Sequence, residues 1–332
     1  MSEQKVYGRK ACLALLEHRP EDVLRLYHAP ELRGELAGIL PWLAARRLAY
    51  RELDSEGLAK VAGGPHHEGL VLSAKPILPQ GWPPPEVPPG RSKSIWLALD
   101  GVANPHNLGA ILRTAAFFGV NGVLLGGFEP GEKINPAVLR VAEGGAEWVP
   151  LFAAPNLPVA LADLMEAGFG VIGLETDSRA TLSDVMGSGM AAGGVVAVLG
   201  GEREGLSPEV RRACGTLCAL EGRGRMQSLN VSVATAVALA LLARGPSSPR
   251  TREAGEIPRR AAGDTRNPAE HEVTGASSLA RGAPQQPRPP KPNHPAKSKK
   301  SAKTPGPKRR SRPKTRGSPK DKGKPKPKKT RP

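Results

Sequence analysis

The chain has 332 residues and a formal net charge of +17, and the charge is unevenly placed. Residues 246–332 carry 25 Lys and Arg against 6 Asp and Glu, or +19, which leaves residues 1–245 at −2, so the folding part is near neutral and the basicity belongs to a tail. Three cysteines exclude a disulfide framework, and no second Cys pair or His cluster completes a zinc site, so no metal is expected.

MSEQKVYGRK has no apolar signal core, and the longest apolar run, Val233–Ala243, has 11 residues, too short to cross a bilayer. The expectation is a soluble, cytoplasmic protein with no membrane partner. Residues 1–75 alternate helical and strand-like stretches. Helices are expected at Tyr7–Glu17, Glu31–Ala45 and Ser55–Val61, the last capped by Asp54, and strands at Val23–His28, Arg47–Leu53 and Gly69–Ala74. That alternation predicts a small α/β domain. His66-His67-Glu68 is read as a polar turn in preference to a metal or catalytic cluster, since no fourth ligand is near. Residues 76–93 are so rich in proline that they predict an extended spacer with no packed structure.

A second α/β pattern occupies 94–244. Strands are expected at Ile95–Leu99, Gly122–Leu125, Trp148–Phe152, Gly170–Glu175, Val195–Leu199 and Thr216–Leu220. Helices are expected at Asn107–Phe118, Pro136–Ala142, Pro158–Ala167, Ser207–Ala213 and Val231–Ala243. Apolar strands between helices predict a parallel sheet covered on both faces. From 245 to 332 Pro, Lys, Arg, Ser, Thr and Gly dominate, too little apolar surface to offset the entropy of ordering, so a disordered tail is expected.

Three stretches carry the chemistry. In the first, Asp100–Gly127, a strand end and polar loop open a helix that bears Asn107 and Arg113. Six positions apart at ~100° per residue, these two sit about 120° apart and can flank one crevice. An alternative is that Arg113 pairs with an acid such as Glu202. The second, Val195–Val210, runs from a buried strand into Gly200-Gly201-Glu202, where bare backbone is free for a ligand, then to a helix start at Ser207-Pro208. It is not a Walker loop, and no GxGxxG follows any strand. The third, Leu220–Arg244, is a glycine-broken loop through Ser228-Leu229-Asn230 into an apolar helix that either Ser228 or Asn230 can cap. That helix calls for burial against the domain or a partner subunit.

Together and in this order, with NLGAILRTA and SLNVSVAT as close matches, the three resemble motifs one to three of the SpoU/TrmH family of SPOUT RNA ribose 2′-O-methyltransferases. Val6-Tyr7-Gly8-Arg9 and Glu68-Gly69-Leu70-Val71 are similar to the small substrate-binding domain of its ribosomal-RNA branch. The resemblance implies a parallel α/β sheet with a C-terminal trefoil knot, a homodimer with the last helix at its interface, and S-adenosylmethionine as cofactor. It implies cofactor contacts at Leu199, Gly200, Leu220, Ser228, Leu229 and Asn230, and catalytic roles for Arg113, Asn107, Glu202 and Asn230. A guanidinium hardly deprotonates, so Arg113 is expected to bind phosphate and polarise the 2′-hydroxyl instead of acting as base. The partner implied is RNA, ribosomal in preference to transfer RNA. The alternatives are a transfer-RNA methyltransferase and an inactive RNA-binding or ribosome-assembly factor. One departure supports the last: Glu221-Gly222 stands where the family has an apolar pair.

Overall fold

The computed structural model describes residues 3–84, 94–188 and 193–244. The tail expected to be disordered, and the spacer from 85 to 93, lie outside the described residues.

The N-terminal part runs β1 (Gln4–Tyr7), α1 (Arg9–His18), β2 (Val23–His28), α2 (Ile39–Ala45), β3 (Ala49–Glu52), α3 (Ser55–Ala62) and β4 (Leu70–Ala74). Its sheet has the order β1-β4-β2-β3, with only β2 and β3 parallel. Local chemistry accounts for most of these elements. Asp54 accepts the Gly57 N–H at 2.8 Å to start α3, and left-handed Gly63 ends it. The helix expected over Glu31–Ala45 forms only from Ile39, because Gly34 and Gly38 carry the entropic cost of a helical backbone without a side chain. Strand β1 has no counterpart among the predicted elements. His66-His67-Glu68 is a turn: His67 Nδ1 accepts the Gly69 N–H, and Glu68 accepts the Arg9 N–H at the start of α1.

The second part is β5 (Gln80–Gly81), β6 (Ile95–Asp100), α4 (Pro105–Phe118), β7 (Gly122–Gly126), α5 (Pro136–Ala142), α6 (Gly145–Trp148), β8 (Leu151–Ala154), α7 (Leu157–Glu166), β9 (Gly170–Leu174), α8 (Leu182–Gly187), β10 (Val195–Gly200), α9 (Pro208–Ala213), β11 (Thr216–Cys218) and α10 (Val231–Leu242). Its seven strands are all parallel, in the order β11-β9-β10-β6-β7-β8-β5. Two corrections follow. The start of the proline-rich stretch is packed: Gln80-Gly81 adds an edge strand to β8, and Trp82 donates from Nε1 to Asp163 at 2.8 Å while its ring meets Trp96 and Phe152 edge-on. Proline removes a ladder donor, but the residues between prolines keep theirs, and an edge strand needs only those. The strand expected from Trp148 begins at Leu151 instead, because Gly145–Trp148 closes a helical turn.

Along each central strand alternate residues serve opposite cores. Ile95, Leu97 and Leu99 of β6, with Val195, Ala197 and Leu199 of β10, face α4, α5 and α10; Trp96, Ala98, Val196 and Val198 face α7 and α9. Burying one such aliphatic side chain is worth roughly 1.5–3 kcal/mol, which sets register firmly. From edge strand β11 the chain turns back to the middle of the sheet, where α10 packs on α4, α8 and β10. On the way Ala219 lies beside Thr181, exchanging backbone bonds with Ala180 and Leu182.

The two parts are riveted through α5 and α6. Arg19, just past α1, pairs with half-buried Glu147 at 2.8 Å, and Lys10 pairs with Glu143 at 2.6 Å. Gly144 is bare because a Cβ there would meet the Ala14 methyl at 2.5 Å.

Candidate active site

At the C-terminal ends of β6 and β10, the place where open parallel sheets receive ligands, two crevices share one wall. The first, of 490 Å³, lies between the loop after β6, Asn107 at the start of α4, and Gly201–Gly205. The second, of 430 Å³, is walled by Leu174, Leu199, Gly200, Leu206, Leu220, Ser228, Leu229 and Val231. Glu202, Glu204 and Val231 belong to both.

Local folding explains how backbone is exposed there. Gly200 ends β10 with no room for a side chain, since a Cβ would lie 2.0 Å from the Gly205 backbone. Gly205 donates its N–H to Gly201 O at 2.9 Å, so residues 201–205 form a closed turn. Asp100 accepts the Ser207 N–H at 2.7 Å and ties this turn to the end of β6. Asn104, at the cap of α4, accepts the His106 N–H, and Pro105 fills the first helical position.

Of the two caps considered for the last helix, Asn230 is the one used. Its Oδ1 accepts the Ser232 N–H at 2.9 Å, while Nδ2 donates to Asn107 Oδ1 at 3.1 Å and to Glu202 Oε1. One side chain thus starts α10 and joins motifs one, two and three, 123 residues apart at the Asn107 contact. Asn107 is 8 % exposed and Glu202 exposed, so the cluster has a buried base and an open rim.

Leu199, Gly200, Leu220, Ser228 and Leu229 all line the second crevice, with Asn230 next to it. Glu221 is exposed and lines neither crevice, so the acid that departs from the family pattern stays outside both. Arg113 is placed apart. It lines neither crevice, and its guanidinium pairs with Glu143 at 2.9 Å, not with Glu202. The reason is helical phase: two turns along α4, its Cα faces Gly145 of α6. Lys10, which donates to Glu143, and Arg113 beside it hold that carboxyl below the usual carboxylate range.

Sequence reasoning did not find Glu143, Glu175 or Asp177. Glu143 sits at φ +47°, a left-handed position after α5 that no local pattern announces. Glu175 and Asp177 line the second crevice from the loop after β9. Among the described residues no group of His, Cys, Asp and Glu is arranged to hold a metal ion. No helix among them is long and apolar enough to cross a membrane.

Comparison with known proteins agrees with this geometry. Residues 94–240 match the SpoU rRNA Methylase family, and residues 5–80 match the RNA 2′-O ribose methyltransferase substrate binding domain. The 23S rRNA (guanosine-2′-O-)-methyltransferase RlmB of Pseudomonas aeruginosa is 38% identical over 242 residues, covering 71% of this chain and 94% of its own length. The uncharacterized tRNA/rRNA methyltransferase YfiF of Escherichia coli O157:H7 is 35% identical over 240 residues, covering 71% of this chain and 67% of its own. The fold is that of the SpoU methyltransferase AviRb from Streptomyces viridochromogenes, solved in complex with AdoMet, with a TM-score of 0.56 over 73% of this chain and 90% of AviRb at 19% identity. The chain belongs to the SpoU rRNA methylase family and is an S-adenosylmethionine-dependent RNA ribose 2′-O-methyltransferase.

Proposed function

We propose that the chain methylates the ribose 2′-hydroxyl of a guanosine in ribosomal RNA, at the junction of the two crevices, and that it works as a homodimer. The observation that carries the reading is the Asn107–Asn230–Glu202 cluster, set between a crevice open to a polynucleotide and one shaped for the cofactor.

The second crevice suits S-adenosylmethionine on the chemistry of its own walls. Leu199, Leu206, Leu220 and Leu229 offer apolar surface for an adenine, and the bare backbone around Gly200 offers hydrogen-bonding groups. Asp177, Glu202 and Glu204, with Glu175 paired to Arg211, outweigh Arg203 and leave its rim negative toward a cation. When bound, the cofactor supplies a methyl group on a positively charged sulfur. The chain's own residues must orient the ribose and polarise its hydroxyl. Asn107 and Asn230 offer the donors and acceptors to hold a hydroxyl next to Glu202.

Arg113 is assigned the phosphate beside the reacting ribose, where a planar guanidinium binds two oxygens at once. Because it lines neither crevice of its own protomer, we assign it to the crevice of a partner. The exposed apolar side chains of Phe117 on α4 and of Val233 and Val237 on α10 supply the surface for that association. The return of the chain from β11 past Thr181 to the centre of the sheet is the path a trefoil knot would take. The basic tail is assigned non-specific binding to RNA phosphates.

Incubating the full chain with S-adenosylmethionine and unmodified ribosomal RNA, then mapping 2′-O-methyl groups, tests the reading. One methylated guanosine is expected. Methylation confined to transfer RNA, or none, overturns it. Mixing Arg113→Ala with Asn230→Ala protein tests the shared site: the mixed dimer retains one intact crevice and recovers activity, whereas a site built within one protomer recovers none.

A further inference from the structure

Beside the RNA crevice lies a third cavity, the largest of the three at 610 Å³, that the chemistry above does not use. It opens between the two parts of the protein. Glu3, Gln4, Lys5 and Ala62 come from the first part, and Val102, Leu108, Phe128 and Ile134 from the second. Val102 and Ala103 line both this cavity and the RNA crevice, so the two adjoin one short stretch of backbone.

Its walls are apolar at the base and polar at one edge. Gln4, on β1, is only 5 % exposed. Its Nε2 donates to the Ile134 carbonyl, which can only accept, so the amide orientation is determined and Oε1 is the oxygen left over. That Oε1 is buried and has no partner among the described residues. An unmet buried acceptor is costly, and a ligand that brings a donor removes the cost. Glu132 lies on the same cavity with one carboxylate oxygen on the Glu129 N–H at 3.1 Å and the other without a donor among the described residues. Lys133 adds a cation at the rim, and half-buried Phe128 adds an aromatic face.

We propose that this interdomain cavity holds the base of the nucleotide being methylated, splayed out of the RNA, and that it selects guanine. The inference rests on the assignment of the neighbouring crevice to the reacting ribose. Single-stranded RNA is read by bases turned out onto aromatic surfaces and bonded along their Watson–Crick edges. Guanine presents two adjacent donors on that edge, the ring N–H and the 2-amino group, with a carbonyl beside them. Gln4 Oε1 and Glu132 match the donors, and Lys133 matches the carbonyl. Adenine presents an acceptor at the ring nitrogen, which would face an acceptor and leave both unpaired. The domain that binds substrate thereby contributes a wall of the specificity pocket as well as general affinity.

The test uses the full chain and a ribosomal RNA fragment carrying guanosine, inosine or adenosine at the mapped target. Inosine lacks only the 2-amino group. The native protein is expected to favour guanosine over inosine by about ten-fold or more in kcat/KM, the loss expected when a buried acceptor goes unmet. Gln4→Leu and Glu132→Gln are each compared with it. Collapse of the guanosine-to-inosine ratio in either variant, with S-adenosylmethionine binding by calorimetry unchanged, supports the assignment. Glu132 is exposed, so its variant folds even where Gln4→Leu does not. Ala62→Trp, which fills the cavity from a residue that lines neither crevice, should lower kcat/KM for RNA while cofactor binding holds. A native ratio near one, a ratio unchanged in both edge variants, or full activity of Ala62→Trp overturns the pocket alone. Failure of the native protein to methylate any ribosomal RNA overturns the ribose assignment beneath it.

Discussion

Asn230 does two jobs at once, and they can be separated by substitution. Asn230→Asp keeps an oxygen to accept the Ser232 N–H, so α10 should keep its cap. It loses the donor to Asn107 and Glu202 and sets a second carboxylate beside Glu202. Thermal stability is expected to change little and methyl transfer to fall sharply. Asn230→Ala should in addition cost about 1 kcal/mol for the lost cap, read by urea unfolding. The cysteines show the opposite situation, side chains that chemistry leaves alone. Burial pushes the Cys214 thiol up to about 12 and the Cys218 thiol up to about 11, so both stay protonated at neutral pH. Iodoacetamide at pH 7.5 should modify them slowly in the native protein and quickly in urea, followed by mass spectrometry. That Asn107, Glu202 and Asn230 come together was legible in the sequence through their motifs. That Arg113 pairs with Glu143 was not, because the acid lies thirty residues on, at a left-handed position outside any motif.

Among the elements, the glycines next to α4 decide how closely helices approach. Gly145→Ala would place a Cβ 2.8 Å from the Arg113 Cα and the Leu112 carbonyl, backbone that cannot yield locally. We expect a loss of about 1–3 kcal/mol, together with displacement of Arg113 and weaker RNA methylation. Gly187→Ala is the matched control. It lies at the end of α8 with nothing within 4 Å, so it should be neutral or stabilise by roughly 0.5–1 kcal/mol, through a smaller loss of backbone freedom. Most elements were readable from periodicity and caps: Asp54 and Ser207 each start a helix as their residue types require. Two were not. Gln80-Gly81 is a strand only because β8 presents an open edge to it, and α8 rests on the reciprocal bonds between Thr181 and Asp184 within a stretch of weak apolar pattern.

For the whole molecule, the two parts are held by ion pairs that acid should open. Glu143 has a lowered pKa, chiefly from the hydrogen bond of Lys10. Its contribution is therefore complete above the ordinary carboxylate value and is lost as pH falls through the lower folded value. Native protein should loosen between its two parts below about pH 4, and Glu143→Gln should show a flatter response there, measured by urea unfolding at a series of pH values. Removing residues 246–332 takes away a net charge of +19. RNA affinity and its dependence on salt should both decrease, with turnover on saturating RNA retained; equal salt slopes would refute a binding role for the tail. By itself the sequence determined what rests on neighbours a few residues apart: helix caps, the alternation that sends Leu97 and Ala98 to opposite cores, the segregation of charge, and the motifs that mark the family. Tertiary structure alone decided what depends on chain return. It brought Asn230 to Asn107, turned Arg113 out of its own crevice, and enclosed a cavity between Gln4 and Phe128. Such contacts join residues from thirty to more than a hundred apart, and no local energy records which distant partner a side chain will meet.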